Sequence, residues 1–428
     1  MIRFIDLFAG TGGIRLGFEA AAQRLGLETK CVLSSEINPK SRETYRMNFG
    51  EMPQGDIHEI TEVPDFDFLL GGFPCQPFSY AGKQKGFGDT RGTLFFEIER
   101  ILASKKPKGF LLENVRGLTT HDGGKTLETI LRHLRELGYG VTTLLINASS
   151  LGVPQNRVRV YILGLFGAEP SMTLKSDLGA SDSHDFKRRI SEAALFSEYD
   201  DYSVVADVLE DEVDDKYLCS EFFTEALKRV TNDNLESLHG VRLIDYRGGN
   251  SIHSWELGLR GECDSEEISF MNELIKHRRL SKFGDHQDGK RLSIEQISTF
   301  FDSPNLPELV ARLEAKGYIK QVDGRYNPVA GNMSFEVFKF LDPESVSITL
   351  VSSDAHRLGV VHKGKVRRIT PREAARLQGY PDSYIIHPDD SVAYFQFGNA
   401  VAVPVVEKVI LDFLEHNPVA TADLLATA

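Results

Sequence analysis

Cys75 sits in Gly71-Gly72-Phe73-Pro74-Cys75-Gln76-Pro77-Phe78-Ser79, where two glycines precede the thiol and two prolines bracket it. The residues ahead, Phe66-Asp67-Phe68-Leu69-Leu70, read as a buried parallel strand. Glycine and proline together end such a strand and force a stiff turn. A cysteine on that turn stands at the C-terminal end of a strand, where an open α/β sheet places its reactive groups. Its chemistry would be that of a thiolate nucleophile; the competing reading is a buried structural cysteine. Glu113 closes the apolar run Gly109-Phe110-Leu111-Leu112, so a carboxyl and a thiol face one pocket if the two strands are neighbours. Arg157 and Arg159 lie two apart, hence on one face of a strand. Two guanidiniums so placed hold a phosphate or a carbonyl oxygen, or else form an ordinary salt-bridge pair.

The elements that must position these groups alternate along residues 1 to 166. Ile2–Phe8 reads as a strand, Ala9-Gly10-Thr11-Gly12-Gly13 as a tight loop, and Ile14–Arg24 as a helix, the opening of a nucleotide-type fold. The loop is not G-x-G-x-x-G, so a dinucleotide pyrophosphate site is the weaker reading. Lys30–Ser35 is a second strand, ending at Glu36, a place from which a carboxylate binds a ribose diol. A helix from Pro39 to Phe49 follows, with proline at its first turn. Asp56, in Gly55-Asp56-Ile57, can accept from an adenine amine or simply cap a turn. Ser79 to Gly92 is a basic, glycine-rich loop of the kind that serves as a lid. A helix from Thr93, strands at Lys108–Leu112, Tyr139–Asn147 and Val158–Leu165, and a helix at Lys125–Leu137 complete a doubly wound, mostly parallel α/β sheet.

The chain has 428 residues and a net charge of −13, which argues against a generally basic nucleic-acid coat but leaves room for a local basic cleft. No apolar stretch approaches the roughly 20 residues of a membrane span. Cys31, Cys75, Cys219 and Cys263 lie far apart with no zinc-type spacing, so no metal is expected and reduced, cytoplasmic thiols are the simplest reading.

The ordered blocks Phe4-Ile5-Asp6-Leu7-Phe8-Ala9-Gly10-Thr11-Gly12-Gly13, Gly72-Phe73-Pro74-Cys75-Gln76-Pro77-Phe78-Ser79, Leu112-Glu113-Asn114-Val115 and Gln155-Asn156-Arg157-Val158-Arg159 resemble those of the DNA (cytosine-5) methyltransferase family. The likeness returns in Arg367 to Pro381 and in Gln396-Phe397-Gly398-Asn399-Ala400-Val401. The resemblance implies an S-adenosylmethionine-dependent methyltransferase fold with an inserted smaller α+β target-recognition domain. It implies Cys75 as nucleophile, Glu113 at the base's N3 and amine edge, and Arg157 and Arg159 at the base carbonyl. It implies a methyl-donor site of Phe8, Ala9, Gly10, Thr11, Gly12, Gly13, Glu36, Ile37, Asp56, Ile57, Pro74, Leu94, Asn399 and Val401. DNA would meet Gln76 and Ser79, with Lys83, Lys85 and Arg91 of the loop. The implied reaction is methylation of C5 of a flipped cytosine in double-stranded DNA through a covalent Cys75 adduct. The setting implied is bacterial restriction–modification, with a monomeric, non-membrane enzyme and a restriction endonuclease acting separately.

The expected domains are catalytic (1–170), target recognition (171–365), a supporting hinge (366–392) and a return to the catalytic domain (393–428). Within the second, helix, helix and an Asp323-Gly324 hairpin over 290–328 suggest a winged-helix-like unit. Lys276 to Lys282 with Lys290-Arg291 reads either as a phosphate-contacting strip or as a solvated helix face. A tRNA cytosine-5 methyltransferase shares the Pro-Cys-Gln core, but the size of the middle segment speaks for DNA. A catalytically silent DNA-binding member and a nicotinamide oxidoreductase leave the Cys75, Glu113 and arginine set unexplained.

Overall fold

The computed structural model of the chain describes residues 1–74, 94–177, 204–245, 250–285, 290–329 and 334–418. They divide into two compact units, one of Met1–Leu209, Glu344–Ala355 and Pro371–Ala428, the other of Glu210–Pro343 and His356–Thr370.

The first unit is built on six strands: β1 (Ile2–Leu7), β2 (Thr29–Ser35), β3 (Phe68–Gly72), β4 (Gly109–Val115), β5 (Tyr139–Asn147) and β6 (Val158–Phe166). Their order is β2-β1-β3-β4-β6-β5. The β1–β2, β1–β3 and β3–β4 pairs are parallel, while β6 runs antiparallel to both its neighbours. This is an α/β methyltransferase fold. Helices α1 (Gly13–Arg24), α2 (Pro39–Phe49), α3 (Leu94–Lys105) and α4 (Lys125–Glu136) connect the strands. Asn38 caps α2 by accepting from the amides of Lys40 and Ser41, beside Pro39 in the first turn.

Both sheet faces are apolar, and strand alternation sorts the residues between them. Ile2, Phe4, Leu70, Leu111 and Leu163 pack with Ile14 and Phe18 of α1 and with Val405, Val409 and Phe413 of the C-terminal helix Val403–His416. Ile5, Leu7, Leu69, Leu112 and Ile162 pack with Ile98 and Ile101 of α3 and Ile130 and Leu134 of α4. Helices Pro371–Arg376 and Asp390–Asn399 lie in stretches where no helix was expected. In the second of them, aromatic, glycine and amide residues obscure the apolar spacing.

The domain bounds differ from those expected. Residues 344–355 belong to the first unit, held by Ser347 N–H to Pro154 O (2.8 Å) and Asn156 N–H to Ser347 O (2.7 Å). So do residues 371–399, placed by the sequence partly in a hinge. These are backbone pairings over long sequence separations, which no local signal carries.

In the second unit, the helix Ser265–His277 packs Phe270, Met271 and Leu274 against Leu309, Val310 and Leu313 of the helix Leu306–Ala315. Strands Ile319–Val322 and Arg325–Pro328 form the hairpin. Over 290–328 the four-residue helix Ile294–Ile297 and the helix Leu306–Ala315 precede the hairpin, with the helix Ser265–His277 completing their core. The basic strip is largely consumed internally. Lys290 is buried, its ammonium donating to the carbonyls of Arg279 (3.2 Å) and Leu280 (2.9 Å). Arg278, also buried, donates to Asn327 Oδ1 at 3.0 Å, and Arg291 pairs with Asp323. Among the described residues, no helix is long and apolar enough to cross a membrane.

One polar residue breaks the face of β1 that packs on α1. Asp6 is fully buried. Its Oδ2 accepts from Tyr45 Oη at 3.3 Å, and its Oδ1 has no hydrogen-bond partner among the described residues. Arg15 Nη1 donates to the same tyrosine at 3.0 Å. Burial, opposed chiefly by the charge of Arg15, pushes Asp6 up to about 7. A carboxyl raised in this way contributes most stability below its ordinary value and loses it as pH rises through the folded one. Wild type measured against Asp6→Asn should therefore lose roughly 2 kcal/mol of relative stability between pH 5 and pH 8 in chemical denaturation; a constant difference across that range would refute the raised value.

Candidate active site

The turn after β1 is strongly bent. Phe8, Gly10 and Gly12 all have left-handed backbones, with φ of 55°, 54° and 82°. That is costly for Phe8 and mild for the glycines. The bend aims the amide of Gly10 at Glu36, whose Oε2 accepts it at 2.8 Å. Glu36 Oε1 accepts the amide of Asn38, also at 2.8 Å. One carboxylate at the end of β2 is thereby held by the loop on one side and the start of α2 on the other, leaving lone pairs for a third partner.

These groups line a cavity of about 790 Å³ in the first unit. Of the residues expected at the methyl donor, Phe8, Ala9, Gly10, Thr11, Gly13, Glu36, Ile37, Asp56, Ile57, Pro74, Leu94, Asn399 and Val401 line it. Gly12 does not. A Cβ there would lie 2.2 Å from the Phe49 ring, so the glycine serves packing against α2. Ile37 is 70 % exposed at the cavity wall. Asp56 also does the work of the competing reading, accepting the amide of His58 at 3.0 Å and capping the short turn Ile57–Glu59. That amide bond, and then the His58 ring, hold its carboxyl below the ordinary range.

Glu113, Arg157 and Arg159 line the same cavity. The β3 and β4 strands are neighbours, with Gly72 opposite Glu113. On β6, Arg159 stands opposite Val115 and Tyr161 opposite Glu113, so Glu113 and Arg159 share one face as diagonal partners. Arg159 Nε lies 3.0 Å from Glu113 Oε1. Burial pushes the Glu113 carboxyl above its ordinary range, against the pull of Arg159 and then Arg157. Glu113 lies inside the strand, which runs on to Val115, rather than at its end.

Arg157 is used differently from Arg159. It precedes β6, is 2 % exposed, and donates to the carbonyls of Leu350 (2.9 Å), Gly398 (3.5 Å) and Ala400. Its Nε is buried with no hydrogen-bond partner among the described residues. Burial first, and Arg159 second, weaken its hold on its proton. The expected pair of guanidiniums is thus one ion-paired group and one backbone lock. Cys75, Gln76, Ser79, Lys83, Lys85 and Arg91 lie outside the described residues, as does the expected lid. Tyr380 and Gln396 line the cavity although sequence reasoning gave them no role. Both stand in the blocks that carry the family likeness, but an aromatic or amide there reads equally as core.

The chain matches the family model for C-5 cytosine-specific DNA methylase over residues 2–415. It is 62 % identical over 416 residues to the Type II methyltransferase M.BanI of Aneurinibacillus aneurinilyticus, covering 97 % of this chain and 96 % of the relative. It is 62 % identical over 421 residues to M.HgiCI of Herpetosiphon aurantiacus, another Type II methyltransferase, covering 98 % and 100 %. The crystal structure of the S. pombe Dnmt2 methyltransferase superposes with a TM-score of 0.51 at 19 % identity, covering 97 % of this chain and 99 % of that one, a likeness of fold.

Replacing Arg157 by Met removes the donor to three carbonyls, two of them buried. The variant should lose about 2–4 kcal/mol of stability in urea denaturation. A change below about 0.5 kcal/mol, the scale of a surface substitution, would contradict the lock.

Proposed function

The chain belongs to the C-5 cytosine-specific DNA methylase family, as a DNA (cytosine-5) methyltransferase of the Type II restriction–modification kind, and from that premise we propose that its cavity joins a methyl-donor site to a pocket for a flipped cytosine. One observation carries the reading: buried Glu113, paired with Arg159, lines the same cavity as the doubly held Glu36. A base edge and a ribose are the ligands these two carboxyl groups suit.

The donor-side residues fit S-adenosylmethionine. Glu36 has lone pairs free for a ribose diol. Phe8, Ile37, Ile57 and Leu94 supply apolar wall for the adenine, Asp56 an acceptor for its amine, and Asn399 and Val401 the opposite wall. When bound, this group supplies an electrophilic methyl on a sulfonium sulfur.

Cytosine C5 is a weak nucleophile towards that methyl. Cys75 follows Pro74, a cavity residue, directly in the chain. Its thiolate adds to C6, a new S–C bond forms, and the electron pair of the C5–C6 double bond moves to C5. An ordinary thiol, with a pKa of about 8.5, is mostly protonated at neutral pH, and the positive Arg157 and Arg159 favour the thiolate. The charge pushed into the ring is met at N3 by Glu113, a carboxyl that burial shifts towards its neutral form. C5 takes the methyl, loses its proton to a base, and the S–C6 bond breaks to restore the ring and free Cys75. Reaching C6 requires the cytosine to leave the stack, at a cost of a few kcal/mol. The biological result is methylated host DNA that a separately acting restriction endonuclease no longer cuts. Duplex DNA is the substrate, read by the second unit.

Cys75→Ser should abolish methyl incorporation into duplex DNA while retaining DNA and donor binding; full turnover in that variant would overturn the nucleophile assignment. Glu113→Gln should lower kcat by about 10²–10⁴-fold, with donor affinity unchanged in the same titration. Methylation of tRNA in preference to duplex DNA would move the substrate to RNA.

A further inference from the structure

Two tyrosines that the mechanism does not use hold the bent loop of the cavity: Tyr380, itself in the cavity wall, and Tyr384, which is not. Tyr384 Oη donates to the main-chain carbonyl of Thr11 at 2.6 Å. Tyr380 Oη lies 3.1 Å from Thr11 Oγ1, within hydrogen-bond distance. All three residues are buried. The two rings pack edge to face, 4.8 Å apart at 70°, and both pack on Phe397, two residues before Asn399. The clamp is itself anchored, since Arg372 donates to the Tyr384 carbonyl at 2.9 Å. The first residue of α1 is shaped to receive it, because a Cβ on Gly13 would lie 2.3 Å from Tyr380 Oη.

We propose that Tyr380 and Tyr384 are positioning residues for methyl-donor binding, fixing Thr11 by its side chain and its carbonyl so that the loop keeps the bend that aims Gly10 at Glu36. The inference rests on reading the cavity as the donor site. The left-handed backbone of Phe8, a non-glycine residue, makes this loop costly to hold. Inside the loop, Gly12 N–H to Ala9 O (2.7 Å) closes one turn. The bond from Gly10 to Glu36 depends on Thr11, the next residue, staying in place. Tyr384 satisfies a buried carbonyl there, and an unsatisfied one is costly enough to redistribute the loop among other backbones. Only the loop's affinity for its ligand is then lost. Glu113 and Arg159 stand on other strands, and the chemical step is spared.

The test uses the full-length enzyme with Tyr384→Phe, Tyr380→Phe and Thr11→Val, each removing a single polar group. Wild type is first titrated with S-adenosylhomocysteine; failure to bind would overturn the donor-site reading and the clamp with it. Given binding, Tyr384→Phe should weaken it, and raise KM for the methyl donor, by about 5- to 30-fold, with kcat at saturating donor within about twofold of wild type. Tyr380→Phe and Thr11→Val should each cost about 2- to 5-fold, and the double variant no more than either alone, because both delete one bond. A purely structural role would lower the melting midpoint and leave KM and affinity unmoved. That result, or equal losses in kcat and donor affinity, would overturn the proposal.

Discussion

The antiparallel register of β4 and β6 is the constraint on which the chemistry depends. It sets Glu113 opposite Tyr161 and Val115 opposite Arg159, leaving the carboxyl and the guanidinium as diagonal partners on one face. Side-chain direction alternates along a strand, so a slip of one residue would turn Arg159 to the face that packs on α3 and α4. A buried ion pair is a poor source of stability, because desolvation takes back much of what attraction gives. Its presence in the wall of a cavity, in a sheet with two largely apolar faces, is what supports the proposed reading of that cavity.

A second constraint is the way distant segments return to the sheet. Gln155, fully buried, donates to the Leu377 carbonyl at 2.8 Å and accepts the Leu350 amide at 3.0 Å. Arg157 takes the carbonyls on either side of Asn399. Gln378 donates to the Phe397 carbonyl at 2.8 Å. Three polar side chains thus satisfy backbone groups of segments that return to the sheet from far along the chain. Backbone polar groups buried without partners would cost about 1–3 kcal/mol each. The same knot that closes the fold fixes one wall of the cavity, where Gly398, Asn399 and Ala400 stand.

The second unit follows a different economy. Several of its basic residues are spent on its own carbonyls and carboxylates: Lys290 on the chain at Arg279 and Leu280, Arg291 on Asp323, and Arg312 and Lys316 on the buried Glu267. Charge counted along the sequence therefore overstates the charge available to a DNA backbone. With a whole-chain net charge of −13, DNA recognition has to come from local shape and selected contacts, since salt screens distant charge beyond about 8–10 Å.

Much of the first unit was legible in the residue order. Apolar runs such as Gly109-Phe110-Leu111-Leu112 become strands because they are buried on both faces. Pro39 starts α2 because its missing N–H costs nothing there. Glu36, Glu113 and Arg159 were legible as candidates because charged side chains beside apolar strand runs are costly to bury without partners. What needed the tertiary structure was the division of labour within that set. Only the three-dimensional contacts separate Arg157, bonded to carbonyls some 190 to 240 residues away in sequence, from Arg159, ion-paired across one strand boundary. Only they show that Gly12 yields to Phe49 rather than to a ligand, that 344–355 belongs with the sheet, and that Tyr380 and Tyr384 meet Thr11. Local sequence determines which backbone a segment prefers and which groups it carries. Which distant group each one meets is decided by the packing of the whole chain, and side-chain roles follow from that meeting.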